Sequence, residues 1–77
     1  MKAVMVKDEY PDLIPEWQYE VKKILRNGDI FHVMVEGSPR RYRTIHFHFF
    51  DKGKRISVKE AFRLQQIEVV KKKLGIK

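Results

Sequence analysis

Residues 15–28 read Pro15-Glu16-Trp17-Gln18-Tyr19-Glu20-Val21-Lys22-Lys23-Ile24-Leu25-Arg26-Asn27-Gly28. The spacing predicts a helix. Pro15 suits a first helical turn, where its missing N–H is not needed, and Glu16 there complements the helix dipole. Trp17, Val21, Ile24 and Leu25 follow at i, i+4, i+7 and i+8, one apolar stripe. Lys22, Lys23 and Arg26 fall toward the C-terminal end, and Asn27-Gly28 supplies the stop, since glycine accepts the left-handed conformation found just past a helix.

Downstream, Ile30–Glu36 is rich in β-branched and aromatic residues and reads as a strand. Gly37 to Arg41 reads as a turn. Tyr42–Phe50 reads as a second strand, with Ile45, Phe47 and Phe49 on one face and Tyr42, Thr44, His46, His48 and Phe50 on the other. A shared core face requires Phe31, Val33 and Val35 to side with Ile45, Phe47 and Phe49, because a one-residue slip sends one set into water. The resulting hairpin pairs Phe31 with Phe47, Val33 with Ile45, His32 with His46 and Ile30 with His48.

Upstream, Ala3–Val6 reads as a short strand, and Asp8 to Asp12, broken by Pro11, as a loop. Beyond the hairpin, Asp51-Lys52-Gly53-Lys54 is a turn. Ser57-Val58-Lys59-Glu60 has the capping-box pattern that opens a helix. That helix is expected from Val58 to about Leu74, ended by Gly75. It carries two apolar seams: Val58, Ala61, Phe62 and Val69, and then Leu64, Ile67, Val70 and Leu74. One covers the sheet. The other is more apolar than a solvent face needs, and suits the first helix, a second copy or a protein partner. The expected fold is α+β, one domain over residues 1–77, in the order β-α-β-β-α, with a β-hairpin packed against two helices. The alternative is α-β-β-α behind a disordered N-terminus.

Seventy-seven residues bury only about 60–65% of the surface that the unfolded chain exposes, so the core is thin. Nine aromatics help to fill it. There is no cysteine, which excludes disulfides, thiolate metal sites and cysteine nucleophiles. No apolar run approaches the roughly 18 residues of a membrane span. Ala3–Val6 is too short for the apolar region of a secretory leader, so the expected location is the cytoplasm.

The net charge is +7, unevenly spread. Residues 1–20 hold Asp8, Glu9, Asp12, Glu16 and Glu20 against Lys2 and Lys7, whereas residues 51–77 hold nine bases against three acids. A domain of this sign attracts polyanions, RNA and DNA among them, although charge also serves solubility. The candidate phosphate contacts are Arg40, Arg41, Arg43, Lys54, Arg55 and Lys59, with the helix start at Ser57 close by. His32, Tyr42, His46, His48 and Phe50 share the hairpin face opposite the core and form a candidate stacking face for unpaired bases. Three histidines on that face also match the ligand type of a zinc site, but no carboxylate stands at a supporting position on those strands. No metal or cofactor is therefore expected. His46 or His48 near Arg43 has the residue types of a metal-independent ribonuclease, without a specific spacing.

Two stretches resemble known families. Gly53-Lys54-Arg55-Ile56-Ser57-Val58-Lys59-Glu60-Ala61 is similar to the start of the last helix in double-stranded-RNA-binding-like domains, which implies a phosphate contact for Lys59, with Lys54 and Arg55 upstream. Val58 stands where that family has a further lysine, and two strands are predicted where it has three. Small messenger-RNA-cleaving toxins share that general fold and carry Gly-Ser-His at a strand end. Gly37-Ser38-Pro39 is similar in its first two residues, and Pro39 replaces the catalytic histidine, so no catalytic role carries over.

The expected function is a non-enzymatic nucleic-acid-binding module. Its rival is an interaction or regulatory protein, acting through Leu64, Ile67, Val70 and Leu74 or as a homodimer. A small ribonuclease stands third.

Overall fold

The computed structural model describes residues 1–75. Six strands, β1 (Lys2–Met5), β2 (Gln18–Asn27), β3 (Ile30–Val35), β4 (Tyr42–Arg43), β5 (Phe47–Asp51) and β6 (Lys54–Ile56), precede one helix, α1 (Val58–Lys73). The strands form a single antiparallel sheet in the order β4-β3-β2-β1-β5-β6. The fold is α+β, as expected, but with one helix rather than two.

The helix predicted from Pro15 is strand β2. Pro15 is the second residue of a turn in which the Trp17 amide donates to the Ile14 carbonyl at 3.3 Å. Glu16 follows at φ 65°, so the pair has the φ signs of a type II turn. The helical spacing of Val21, Ile24 and Leu25 arises from a β-bulge. Val21 pairs with Val35, yet Lys23 pairs with Met34, so one extra residue enters β2 between them. Val21 and Ile24 therefore both turn inward at a spacing of three, which imitates a helix. Gly28-Asp29 is a hairpin loop rather than a helix stop: Asn27 pairs with Ile30, and Gly28, the first of the two loop residues, takes φ 63°.

The predicted pairing of residues 30–36 with 42–50 is also replaced. β3 lies between β2 and β4, with Val33 opposite Ile24 on one side and Tyr42 on the other, and His32 opposite Arg43 rather than His46. β5 instead pairs with β1, setting Ala3 against Phe49 and Met5 against Phe47. The predicted strand Tyr42–Phe50 breaks at a single 3-10 turn, Thr44–His46. There the chain leaves the β4 edge of the sheet and crosses to β1. The Thr44 hydroxyl donates to the Phe31 carbonyl, and the Val6 amide bonds the His46 carbonyl, pinning both sides of the corner. In consequence Ile45, expected in the core, is 71% exposed, and Tyr42, expected on the open face, is fully buried. The N-terminus is a central strand, which excludes the disordered alternative.

The sheet is strongly curled. Tyr42 and Phe47 sit on strands four steps apart, roughly 19 Å in a flat sheet, yet their rings are 5.9 Å apart. Curling folds one face inward, and Ala3, Met5, Ile24, Val33, Val35, Tyr42, Phe47 and Phe49 fill it, joined by Leu13 from the long first loop and Ala61 from α1. Both edge strands, β4 and β6, are very short, which limits edge-to-edge pairing with other chains.

α1 begins where the capping pattern places it. The Ser57 hydroxyl accepts from the Glu60 amide at 3.1 Å. The Glu60 carboxylate, rather than reaching back, holds Arg63. Gly75, at φ 69°, ends the helical stretch. Val58, Ala61 and Phe62 pack on the core, and Phe62 meets Phe31 edge to face. Beyond Ile67, which still lines a hollow with Met1, the helix becomes increasingly exposed. Ile67, Val69, Val70 and Leu74 are exposed, so Val69 does not cover the sheet as its seam predicts. Leu64 is half-buried.

Candidate nucleic-acid interface

The β2–β3 hairpin tip, the 3-10 turn and the first turns of α1 enclose adjoining hollows. One, of about 440 Å³, is lined by Arg26, Asp29, Phe31, Lys59 and Phe62. Arg41, Arg26 and His32 line a second, with Leu25 and Asn27. Arg43, Lys59 and Asp29 share a third with Ile30 and Ile45. Four cations from different elements thus gather around one hairpin tip: Arg26 from β2, Arg41 from the loop before β4, Arg43 from β4, and Lys59 from α1.

Local structure fixes several of them. The Arg26 Nε donates to the Gly28 carbonyl at 2.8 Å and its guanidinium lies over the Phe31 ring at 5.9 Å, so the arginine lies back along the tip. The Arg43 amide donates to the Tyr10 hydroxyl, which fixes the backbone while its side chain stays exposed. Among the described residues, none of Arg26, Arg41, Arg43 or Lys59 forms an ion pair. Asp29 is the one carboxylate lining these hollows, and the exposed Ile30 and Ile45 add apolar surface.

The six predicted phosphate contacts do not form one patch. Arg41, Arg43 and Lys59 come together. Arg40 is engaged elsewhere: its Nη1 donates to Asp12 at 3.0 Å and its guanidinium lies over the rings of Tyr42 and Tyr10. Lys54 and Arg55 are on β6, opposite Asp51 and Phe50, away from the hairpin tip. Arg26 was missed because helix geometry would place it on the far side of the chain; the Gly28-Asp29 pair was the signal that could have found it.

The predicted stacking face separates as well. Tyr42 points into the core. Its hydroxyl donates to Asp12 and is bonded to the Ser38 hydroxyl at 2.6 Å. His46 meets the Tyr10 ring edge to face, and His32 lines the hollow with Arg41. His48 and Phe50 are half-buried on β5, opposite Val4 and Lys2. The histidines do not converge, and among the described residues no group of three or more His, Cys, Asp or Glu is placed to hold a metal ion. No helix among them is long and apolar enough to cross a membrane.

The Asp12–Tyr42–Arg40 cluster ties the first loop to the loop before β4. The Tyr42 hydroxyl, and more weakly Arg40, hold the Asp12 carboxyl below the usual carboxylate range, against the opposing effect of burial. Burial, then the bond to Asp12, raises the Tyr42 phenol. Both shifts carry the groups away from neutral pH, so the pair keeps an ionised Asp12 beside a protonated Tyr42 there. Compared with known proteins, the chain matches no family model, no curated protein and no solved structure.

Proposed function

We propose that the protein is a non-enzymatic nucleic-acid-binding module whose contact surface surrounds the β2–β3 hairpin tip and the first turns of α1. The observation that carries the reading is the gathering of Arg26, Arg41, Arg43 and Lys59, none of them in an ion pair among the described residues, around adjoining hollows. Cations without a carboxylate partner keep their attraction for phosphate oxygens, whereas a neutralised arginine such as Arg40 has little left to give. Ile30 and Ile45 beside them suit contact with sugar and base.

Lys54 and Arg55 take an outer role, as more distant charge that steers a polyanion toward the groove. The cations contact phosphate, so affinity is expected to depend on salt more than on sequence. Four contacts on duplex DNA give a slope of log affinity against log salt near −3.6, from about −0.9 per contact, and a smaller slope on single strands.

The test is an amide NMR titration of the labelled protein with a short single strand and a short duplex, at low and moderate salt. Shifts are expected on residues 26–31, 41–45 and 57–62, weakening as salt rises. Shifts confined to other residues, or an affinity indifferent to salt, would overturn the reading. The ligand that binds more tightly identifies the class of nucleic acid.

A further inference from the structure

The molecule carries two exposed apolar surfaces of opposite charge at opposite ends of β1. At the C-terminal end of β1 stands the turn Ile14–Trp17. The Glu16 amide donates to the Met5 carbonyl at 2.9 Å, and the Ile14 amide donates to the Tyr19 hydroxyl at 2.8 Å. The turn is thus fastened to the sheet, yet it presents Ile14 at 59% exposure and Trp17, the only tryptophan, at 60%. It does so with Glu16 in the left-handed region, where a residue other than glycine is uncommon and strained. Val6 is exposed as well, and Asp8, Glu9 and Glu16 outweigh the exposed Lys7, which leaves this end acidic.

At the N-terminal end of β1, Met1 shares a cavity with Leu64, Ile67, Glu68 and Lys71 of α1 and with Asp51 and Lys52, where the two acids are balanced by the two lysines. From there the helix runs past the sheet and leaves Val70 and Leu74 53% and 68% exposed, beside the exposed Lys71, Lys72 and Lys73. One surface is apolar with an acidic surround, the other apolar with a basic one. Placed at opposite ends of a central strand, they do not meet within one chain.

We infer that the protein associates with a second copy of itself head to tail, the Ile14–Trp17 turn of one copy seating on the C-terminal half of α1 of the next. Charge decides against a symmetric dimer centred on either surface. Such a contact sets the surface against itself, acids against acids or lysines against lysines, and like charges brought together are costly, whereas turn on helix pairs opposite charges. The heterologous contact buries Trp17 and Ile14 against Val70 and Leu74 and sets Glu9 and Glu16 toward Lys71–Lys73. Such a contact does not close on two copies, so mass grows with concentration into short chains or rings. The inference is independent of the nucleic-acid reading and is tested without nucleic acid.

The test uses the full chain and two variants, each blocking one surface: Trp17→Glu, and the double variant Val70→Glu with Leu74→Glu. All substituted side chains are at least half exposed, and circular dichroism verifies folding; Ile14→Glu replaces the first variant if it does not fold. Sedimentation velocity is expected to show mass rising with concentration for the unaltered chain, and monomers for each variant alone. A mixture of the two variants retains one intact turn and one intact helix surface and is expected to give a 1:1 dimer that grows no further. In that mixture Trp17 of the helix variant shifts its emission to shorter wavelength as it is buried. An unaltered chain that stays monomeric, a variant that self-associates alone, or a mixture that remains monomeric overturns the inference. The last result, with an associating unaltered chain, assigns the contact to other surfaces.

Discussion

The side-chain amide of Gln65 is bonded at both ends to the main chain of Ile24: the Ile24 amide donates to Oε1 at 2.6 Å, and Nε2 donates to the Ile24 carbonyl at 2.8 Å. β1 pairs with β2 through Gln18, Tyr19 and Glu20, and the Val21 amide reaches the Met1 carbonyl. Past that point β2 has lost its neighbour. Ile24 keeps β3 on one side, and on the other Gln65 supplies the donor and the acceptor that a longer β1 would have supplied. One helix side chain thus completes a sheet and fixes how far α1 lies from it.

Gln65→Ala strips both partners from Ile24, and Gln65→Glu removes the donor while setting a carboxylate against a carbonyl. Leaving buried polar groups unpaired costs about 1–3 kcal/mol. Both variants are expected to lower the midpoint of urea unfolding by a corresponding amount, and Gln65→Ala, which removes the acceptor, to speed hydrogen exchange at the Ile24 amide. An unchanged midpoint for both would falsify the bridging role.

Tyr42→Phe removes the hydroxyl that contributes most to lowering the Asp12 carboxyl. Asp12 is then expected to titrate nearer the ordinary carboxylate range, read by carbon-13 NMR of the side chain. The sign follows from linkage. A carboxyl lowered in the folded state binds fewer protons there than in the unfolded chain, so its stabilisation holds at neutral pH and is lost as pH falls through the folded value. The Tyr42 phenol is raised, so its contribution holds below the ordinary tyrosine range and is lost as pH rises through the higher folded value. The unaltered chain should be steadiest between these limits, and the Phe variant should lose less stability on acidification.

Among the cations, Arg41→Ala, Arg43→Ala and Lys59→Ala are each expected to reduce the salt slope of duplex binding by about 0.9. Arg40→Ala should leave that slope in place, because Arg40 already neutralises Asp12. Isothermal titration over a salt series separates the two classes. Equal effects from Arg40 and Arg41 would move the interface to the loop before β4.

Lys52 takes φ 54° and Gly53 φ 80° in the two-residue loop between Asp51 and Lys54. Positive φ at both positions is the type I′ hairpin pattern, for which Asn-Gly is preferred. Lys52→Asn is expected to stabilise by roughly 0.5 kcal/mol, since asparagine tolerates the left-handed region better. In a domain of this size that is about 2–4 °C in Tm, measurable by thermal denaturation.

Local signals carried the sequence furthest. The Ser57 cap, the Gly75 stop, the turn at Lys52-Gly53 and the inward sides of Val33, Val35, Phe47 and Phe49 each depend on a few neighbouring residues, and each is found in the structure. The strand at Gln18–Asn27 was not legible, because its bulge turned a two-residue period into a three-residue one and its Glu20, Lys22, Lys23 and Leu25 favour a helix in isolation. The grouping of the candidate site residues was hidden for the same reason. Arg41, Arg43 and Lys59 were identifiable as bases, but Arg26 joins them only through the β2–β3 hairpin, and Arg40 is withdrawn from them only through Asp12, 28 residues earlier in the chain.

By itself, then, the sequence determined the C-terminal helix, the turn at Lys52-Gly53, the apolar faces of two strands and the contrast between an acidic beginning and a basic end. Charge and capping are properties of residues and their nearest neighbours. The tertiary structure alone decided which strand lies beside which, which aromatic residues turn inward and which cations share a groove. Those outcomes depend on pairing between distant segments, where the curl of the sheet brings β4 against β5 and one glutamine stands in for a missing strand.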